Sequence, residues 1–398
     1  MTRFLTLFVG LFALGFGVGC SRISETSYTL RTDSEKINLP AKQAAQIAEY
    51  LASFHGTPAN PRMALPADDE NHPRVDKPGY DQVTLRHGRD VYAKQCAGCH
   101  GTTGDGKGPA AAYLNPPPRD YRNGVFKFTS TPRGSKPRRE DLRRILKYGA
   151  KGTSMPAFRF LSEEDTEAVI DYVQVLSARG ELELSLIREA TDELDEKDDF
   201  DPEAVADYVT GISRSWDKAE SEVVNPVTVN PPRTPETIRA GSVAFAEFSC
   251  VKCHNRDAAG SRSADVGVDI WGRTAYPANL AMGMLHGGRR PIDIYRRIYS
   301  GINGTPMPSS KDPSAGETPE QRSEKLWHLV HFVTAVIEHN EVPPAEQAAI
   351  DDVLKKAAKP VAPPAKDDAE AAAGIDGPET TLAGRVGAIR SGPAGQQP

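Results

Sequence analysis

Cys96-Ala97-Gly98-Cys99-His100 occurs once, and Cys250-Val251-Lys252-Cys253-His254 repeats its pattern further along the chain. The C-x-x-C-H run is the attachment pattern of a c-type haem. Two thiols three residues apart lie on one helical turn, where each can form a thioether to a haem vinyl group. The adjacent histidine then falls under the iron as proximal ligand. A redox C-x-x-C pair or half of a zinc site would use the same cysteines. The first needs no histidine at the next position, and the second would place the two pairs closer together in sequence.

Each motif has a methionine downstream that can supply a sixth ligand. Met155 stands in Gly149-Ala150-Lys151-Gly152-Thr153-Ser154-Met155-Pro156, and Met307 in Gly301-Ile302-Asn303-Gly304-Thr305-Pro306-Met307-Pro308. They follow His100 and His254 by 55 and 53 residues. The flanking windows align without a gap, pairing Asp141 with Asp293, Arg144 with Arg296, Gly149 with Gly301 and Gly152 with Gly304. Such self-similarity marks two copies of one unit. Proline after each methionine restricts the chain to an extended course. The plainer role for either methionine is to fill a gap in a core. A rival for the second iron is the cluster of Met282, Met284 and His286; Met307 is preferred because the first repeat has no counterpart of that cluster.

These residues carry a resemblance. Both repeats look like class I cytochrome c domains, and the chain resembles bacterial dihaem cytochromes of the cbb3-oxidase subunit III type over residues 85–180 and 235–340. The resemblance implies an all-α fold of two tandem class I cytochrome c domains. It also implies two covalently bound haem c groups, on Cys96 and Cys99 and on Cys250 and Cys253. His100, Met155, His254 and Met307 would be the iron ligands. The expected activity is electron carriage, with a terminal oxidase or a quinol-oxidising complex as partner. A dihaem peroxidase-like enzyme and a cytochrome subunit of a larger oxidase or dehydrogenase complex are the alternatives. No Ser/His/Asp set or dedicated acid–base pair stands out, so no catalytic residue is assigned.

Helix patterns support the same arrangement. Leu85, Gly88, Tyr92 and Cys96 share one helical face, and a helix over residues 162–177 opens on Ser162 as its cap. Gly88 and Tyr92 are expected to cross Tyr172, and Gly241 and Phe245 to cross Phe332. Pro109 offers a carbonyl to the Nδ1 proton of His100, which would orient the imidazole. Arg119 and Tyr121 in the first repeat, and Asn279 in the second, are candidates for the haem propionates or pocket. Arginine suits a carboxylate because its planar fork donates twice.

The chain has 398 residues and a net charge of −6, with no basic excess of the kind nucleic acid demands. Charge is nevertheless sorted. Residues 119–151 hold 11 basic and 3 acidic residues, whereas residues 181–222 hold 4 basic and 15 acidic. The basic stretch could steer an acidic redox partner or simply meet the acidic connector. Of the five cysteines only Cys20 lies outside the haem motifs. It follows Arg3 and an apolar run and resembles the lipidated cysteine after a lipoprotein signal, which implies export and a membrane anchor on the periplasmic side; Gly17 stands where that motif usually has Leu, so ordinary secretion and an uncleaved anchor are the alternatives. The expected divisions are a signal peptide over 1–19, an N-terminal helix and linker over 20–80, and cytochrome c domain one over 81–180. An acidic connector over 181–234, cytochrome c domain two over 235–340 and a disordered Ala/Pro-rich tail over 341–398 complete the chain. Short helices are expected at 40–54, at 202–218 and at Pro344–Ala357.

Overall fold

The computed structural model describes residues 28, 30–31, 39–64, 80–260 and 266–357. The expected signal peptide, Cys20 and residues 358–398 of the expected tail lie outside them. In chain order the helices are α1 (Ala41–His55), α2 (Gln82–Gln95), α3 (Ala97–His100), α4 (Arg139–Tyr148), α5 (Glu163–Asp192) and α6 (Pro202–Ser221). They continue with α7 (Pro235–Glu247), α8 (Val251–His254), α9 (Pro291–Ser300), α10 (Pro319–His339) and α11 (Pro344–Ala357). Among the described residues all regular structure is helical, as expected, and no helix is long and apolar enough to cross a membrane. The described residues up to Leu354 cluster as one compact unit.

Two helix crossings frame the haem motifs. Asp81 caps α2 by accepting the N–H groups of Val83 and Thr84 at 2.9 and 3.0 Å, and Ser162 caps α5 through Asp165 N–H at 3.0 Å. Where α2 meets α5, a Cβ on Gly88 would lie 2.0 Å from the Ala168 carbonyl oxygen, so only glycine lets the backbones touch. Tyr92 and Tyr172 pack beside that contact with ring centroids 5.4 Å apart. The second repeat does the same with α7 and α10. Gly241 faces the His328 carbonyl, again at 2.0 Å from a built Cβ, and Phe245 packs on Phe332 at 5.1 Å.

Helices α4 and α9 are the other repeated pair. Asp141 and Asp293 are buried three positions into their helices and accept the N–H of Arg138 and Arg290 at 3.2 and 3.3 Å. The two helices also contact each other's repeat: Arg144 pairs with Asp293 at 3.4 Å, and Arg297 donates to the Thr129 carbonyl.

Two expectations need correction. The helix expected to stop at residue 177 runs to Asp192, so the boundary placed at 180/181 lies inside α5. Its second half carries Leu182, Leu186, Ile187 and Ala190, which pack with Ile47 and Leu51 of α1 and with Val205 and Val209 of α6. The acidic connector is therefore half of a helical layer with an apolar underside. Gly180, within this continuation, is the point where the Arg122 backbone approaches, 2.3 Å from a built Cβ. The second correction concerns residues 223–234, the end of the expected connector, whose Pro/Val/Asn composition reads as an extended linker. They form a bonded strap: Val224 N–H donates to the Ser130 carbonyl at 2.8 Å, and Trp327 Nε1 donates to the Thr228 carbonyl at 3.0 Å. At the C-terminal end, α11 occupies the residues expected for it, with Ala349 and Ile350 buried.

Candidate haem sites

The first site grows from the turn between α2 and α3. The N–H groups of Cys99 and His100 both bond the Cys96 carbonyl, at 3.1 and 2.9 Å, which places both cysteines and the histidine on one helical turn. The thiols are free of disulfides. Burial pushes the Cys96 thiol up to about 12. His100 is buried and its Nδ1 lies 3.0 Å from the Arg119 carbonyl. A carbonyl can only accept, so Nδ1 carries the proton and Nε2 keeps its lone pair for a metal. Burial also pushes His100 down to about 4, against the pull of that same bond, so the ring is neutral. Tyr121 stacks on it with centroids 4.7 Å apart and planes 18° from parallel.

The carbonyl expected from Pro109 therefore comes from Arg119. The reason lies in the glycine loop. Its N–H groups close back onto the motif: Gly106 onto the His100 carbonyl, Gly108 onto Cys99 and Ala110 onto Gly98, at 2.8 to 3.1 Å. Pro109 sits between two of these caps on the rim, and the next pass of the chain reaches the imidazole.

The second site repeats the chemistry with a partner that the sequence did not reveal. His254 Nδ1 lies 3.1 Å from the Ala278 carbonyl, and burial lowers this histidine as well. Burial raises Cys250 to about 12. Asn279, next to that carbonyl, turns its side chain to the Met282 N–H at 3.1 Å and closes a turn.

The two methionine loops have one geometry. Gly149 and Gly301 leave their helices at φ +69° and +70°, and Gly152 and Gly304 follow at +72° and +71°. Thr153 Oγ1 accepts the Met155 N–H at 3.1 Å, as Thr305 Oγ1 accepts that of Met307 at 3.3 Å. The Met155 carbonyl accepts from Ala150 at 3.2 Å, and that of Met307 from Ile302 at 3.3 Å. His286, the rival ligand, donates Nδ1–H to the Lys151 carbonyl of the first repeat, while Met282 and Met284 are exposed.

Arg119 has a second use. Its guanidinium lies over the Trp271 ring, 3.8 Å from the centroid, and its Nη1 is buried with no hydrogen-bond partner. Burial lowers the group to about 10, partly opposed by Asp269. A buried donor without an acceptor is costly, and a haem propionate is an acceptor of the right charge. Haem thus suits this donor set: two thiols, a neutral imidazole fixed through Nδ1, and an orphaned guanidinium nitrogen. Among the described residues no three His, Cys, Asp or Glu side chains gather as a metal cluster, so the two cysteine pairs do not share a zinc. The contacts of Arg119 with Trp271 and Asp269 join residues far apart in sequence, and no local pattern announced them.

Comparison with known proteins adds the following. Residues 83–173 match the family model of cytochrome C oxidase, cbb3-type, subunit III, a match that leaves the second motif outside it. No curated protein matches the chain. Among solved structures, a chain of the reducing HAO-like protein complex of Kuenenia stuttgartiensis is similar at 29% identity. It is covered over 96% of its length and covers 63% of this chain, with a TM-score of 0.45. Residues 83–173 therefore make up a c-type cytochrome domain.

Proposed function

We propose that the chain is a dihaem c-type cytochrome that passes electrons between respiratory partners outside the cytoplasmic membrane. One observation supports the second haem: the second repeat rebuilds the first in its attachment turn, its oriented imidazole and its methionine loop. It has a C-x-x-C-H turn, a neutral imidazole bonded through Nδ1 to a backbone carbonyl, and a methionine loop with matching turns. Bound haem supplies a one-electron couple, and methionine ligation raises its potential.

The chain's own residues then do three things. The Arg119 and Ala278 carbonyls orient the imidazoles and raise their basicity. Tyr121 covers the first imidazole and keeps it dry. Arg119 offers its unsatisfied nitrogen to a propionate. Much of the basic stretch is used internally, since Lys136 pairs with Glu181 and Arg138 with Glu220 of the acidic segment. That favours an internal role over steering of a partner.

A terminal oxidase or a quinol-oxidising complex remains the proposed partner, with lipidated Cys20 as the anchor on the periplasmic side. Co-purification after gentle membrane solubilisation tests the partner, and lipid labelling of a Cys20→Ser variant tests the anchor; undiminished labelling removes it. Electron carriage itself is tested by the ferric spectrum together with a peroxide assay. Two low-spin, methionine-ligated haems without peroxide turnover support the carrier. A high-spin haem with turnover makes the protein a peroxidase instead.

A further inference from the structure

The two methionine loops share a geometry but are not secured alike. Among the described residues, the Met155 loop receives one hydrogen bond from the second repeat, His286 to the Lys151 carbonyl. The Met307 loop is bonded to the first repeat along most of its length. Arg133 Nη1 donates to the carbonyl of Met307 itself at 2.5 Å, and Nη2 to that of Thr305 at 2.8 Å. Gly134 N–H donates to Asn303 Oδ1 at 2.9 Å, and Asn303 Nδ2 donates to the Phe126 carbonyl at 3.2 Å. Within its own repeat the loop is backed by the Trp271 ring, 2.9 Å from a Cβ built on Gly304, and by Ile270 N–H on the Gly304 carbonyl at 2.9 Å. Trp271 in turn lies under Arg119 of the first repeat.

A guanidinium is a rigid fork, and two donations from one fork fix the spacing of the two carbonyls they meet. Those carbonyls flank Pro306, so the fork sets the course of the backbone from which the Met307 thioether projects. Gly301 caps the preceding helix and Gly304 adds a second left-handed turn, so the loop's own dihedrals are soft and its place depends on the bonds it receives, of which, among the described residues, only the Arg133 fork meets both carbonyls that flank Pro306.

We propose that Arg133 of the first repeat is a positioning residue for Met307 of the second, so that the sixth ligand of one haem is held in place by the domain that carries the other. This rests on the methionine ligation proposed above. It makes the second haem responsive to the fit between repeats: whatever parts them releases Met307, and the first haem keeps its own loop.

The test uses the full haem-loaded chain in a Met155→Ala background, where the remaining methionine signature reports the second site alone. Arg133→Ala should leave both haems attached, weaken that signature and lower the second haem's potential. It should also raise the affinity of added imidazole for the second ferric site about tenfold, the low end of what losing a hydrogen bond to a charged group does to an equilibrium. Arg133→Lys, with one compact donor in place of a fork, should fall between the two. If Arg133→Ala does not accumulate, the lysine variant carries the test through the same potential and imidazole readings. Unchanged readings in a parent that shows the methionine signature overturn the positioning role and leave the proposed function intact. A parent without that signature overturns the ligation, and the positioning role with it.

Discussion

Replacing Gly88 by alanine tests the helix crossing that frames the first haem motif. The added Cβ would stand 2.0 Å from the Ala168 carbonyl oxygen and 3.2 Å from the Tyr172 Cβ. A carbon–oxygen contact needs about 3.3 Å, so α2 and α5 must part by roughly 1.3 Å or bend. The obstacle is backbone, which cannot rotate aside. Overpacking of this kind costs about 1–3 kcal/mol, and the upper part of that range applies here. Alanine returns about 1 kcal/mol of helix propensity, leaving a net loss of about 2 kcal/mol. Gly211 in α6 supplies the control, since it is exposed and a Cβ there meets nothing within 4 Å. Gly211→Ala should therefore stabilise by about 0.5–1 kcal/mol. The same substitution thus has opposite signs at two helical sites. Urea unfolding of the haem-loaded protein, followed by far-UV circular dichroism, reads both midpoints. A Gly88→Ala midpoint equal to or above that of the parent would refute the close crossing. Gly241→Ala, facing the His328 carbonyl, should behave as Gly88→Ala does.

Two further outcomes follow from buried charge. His55 is fully buried, and desolvation, helped by nearby Arg179, pushes it down to about 3. Below its ordinary value of 6.5 the unfolded chain takes up the proton first, so the contribution of neutral His55 is present above pH 6.5 and is lost as pH falls toward 3. Urea midpoints at pH 7 and pH 4.5 should converge in His55→Leu; an undiminished gap assigns the acid sensitivity elsewhere. Lys136 pairs with Glu181, whose carboxyl burial raises, so Lys136→Met should cost about 3–5 kcal/mol and Glu181→Leu in the same chain should recover most of it. A single variant as stable as the parent by thermal melting would show that the pair is not holding this region.

What was legible in the sequence was whatever repeats or lies close along the chain. The C-x-x-C-H turns, the glycine-flanked methionine loops and the glycine–aromatic crossings all rest on spacings of a few residues, and each helix pattern around them is local. The Nδ1 partner of His100 was not legible, because three N–H groups of the glycine loop bond the turn's carbonyls and hold Pro109 on the rim, away from the imidazole. The length of α5 was not legible because what carries it beyond residue 177 is tertiary: the Arg122 backbone packs at Gly180, and Leu182 and Leu186 pack with α1. Arg133 and Trp271 were illegible for a different reason: each acts on the opposite repeat, and a contact across such a separation leaves no mark in the local pattern.

The central claim is that both repeats carry covalent haem, and the mass of the denatured protein tests it most directly. Thioether-bound haem survives denaturation, so the intact chain should carry the mass of two haems. A Cys250→Ser/Cys253→Ser variant should carry one, and a Cys96→Ser/Cys99→Ser variant the other. A parent chain with a single haem, unchanged by loss of Cys250 and Cys253, would contradict the account.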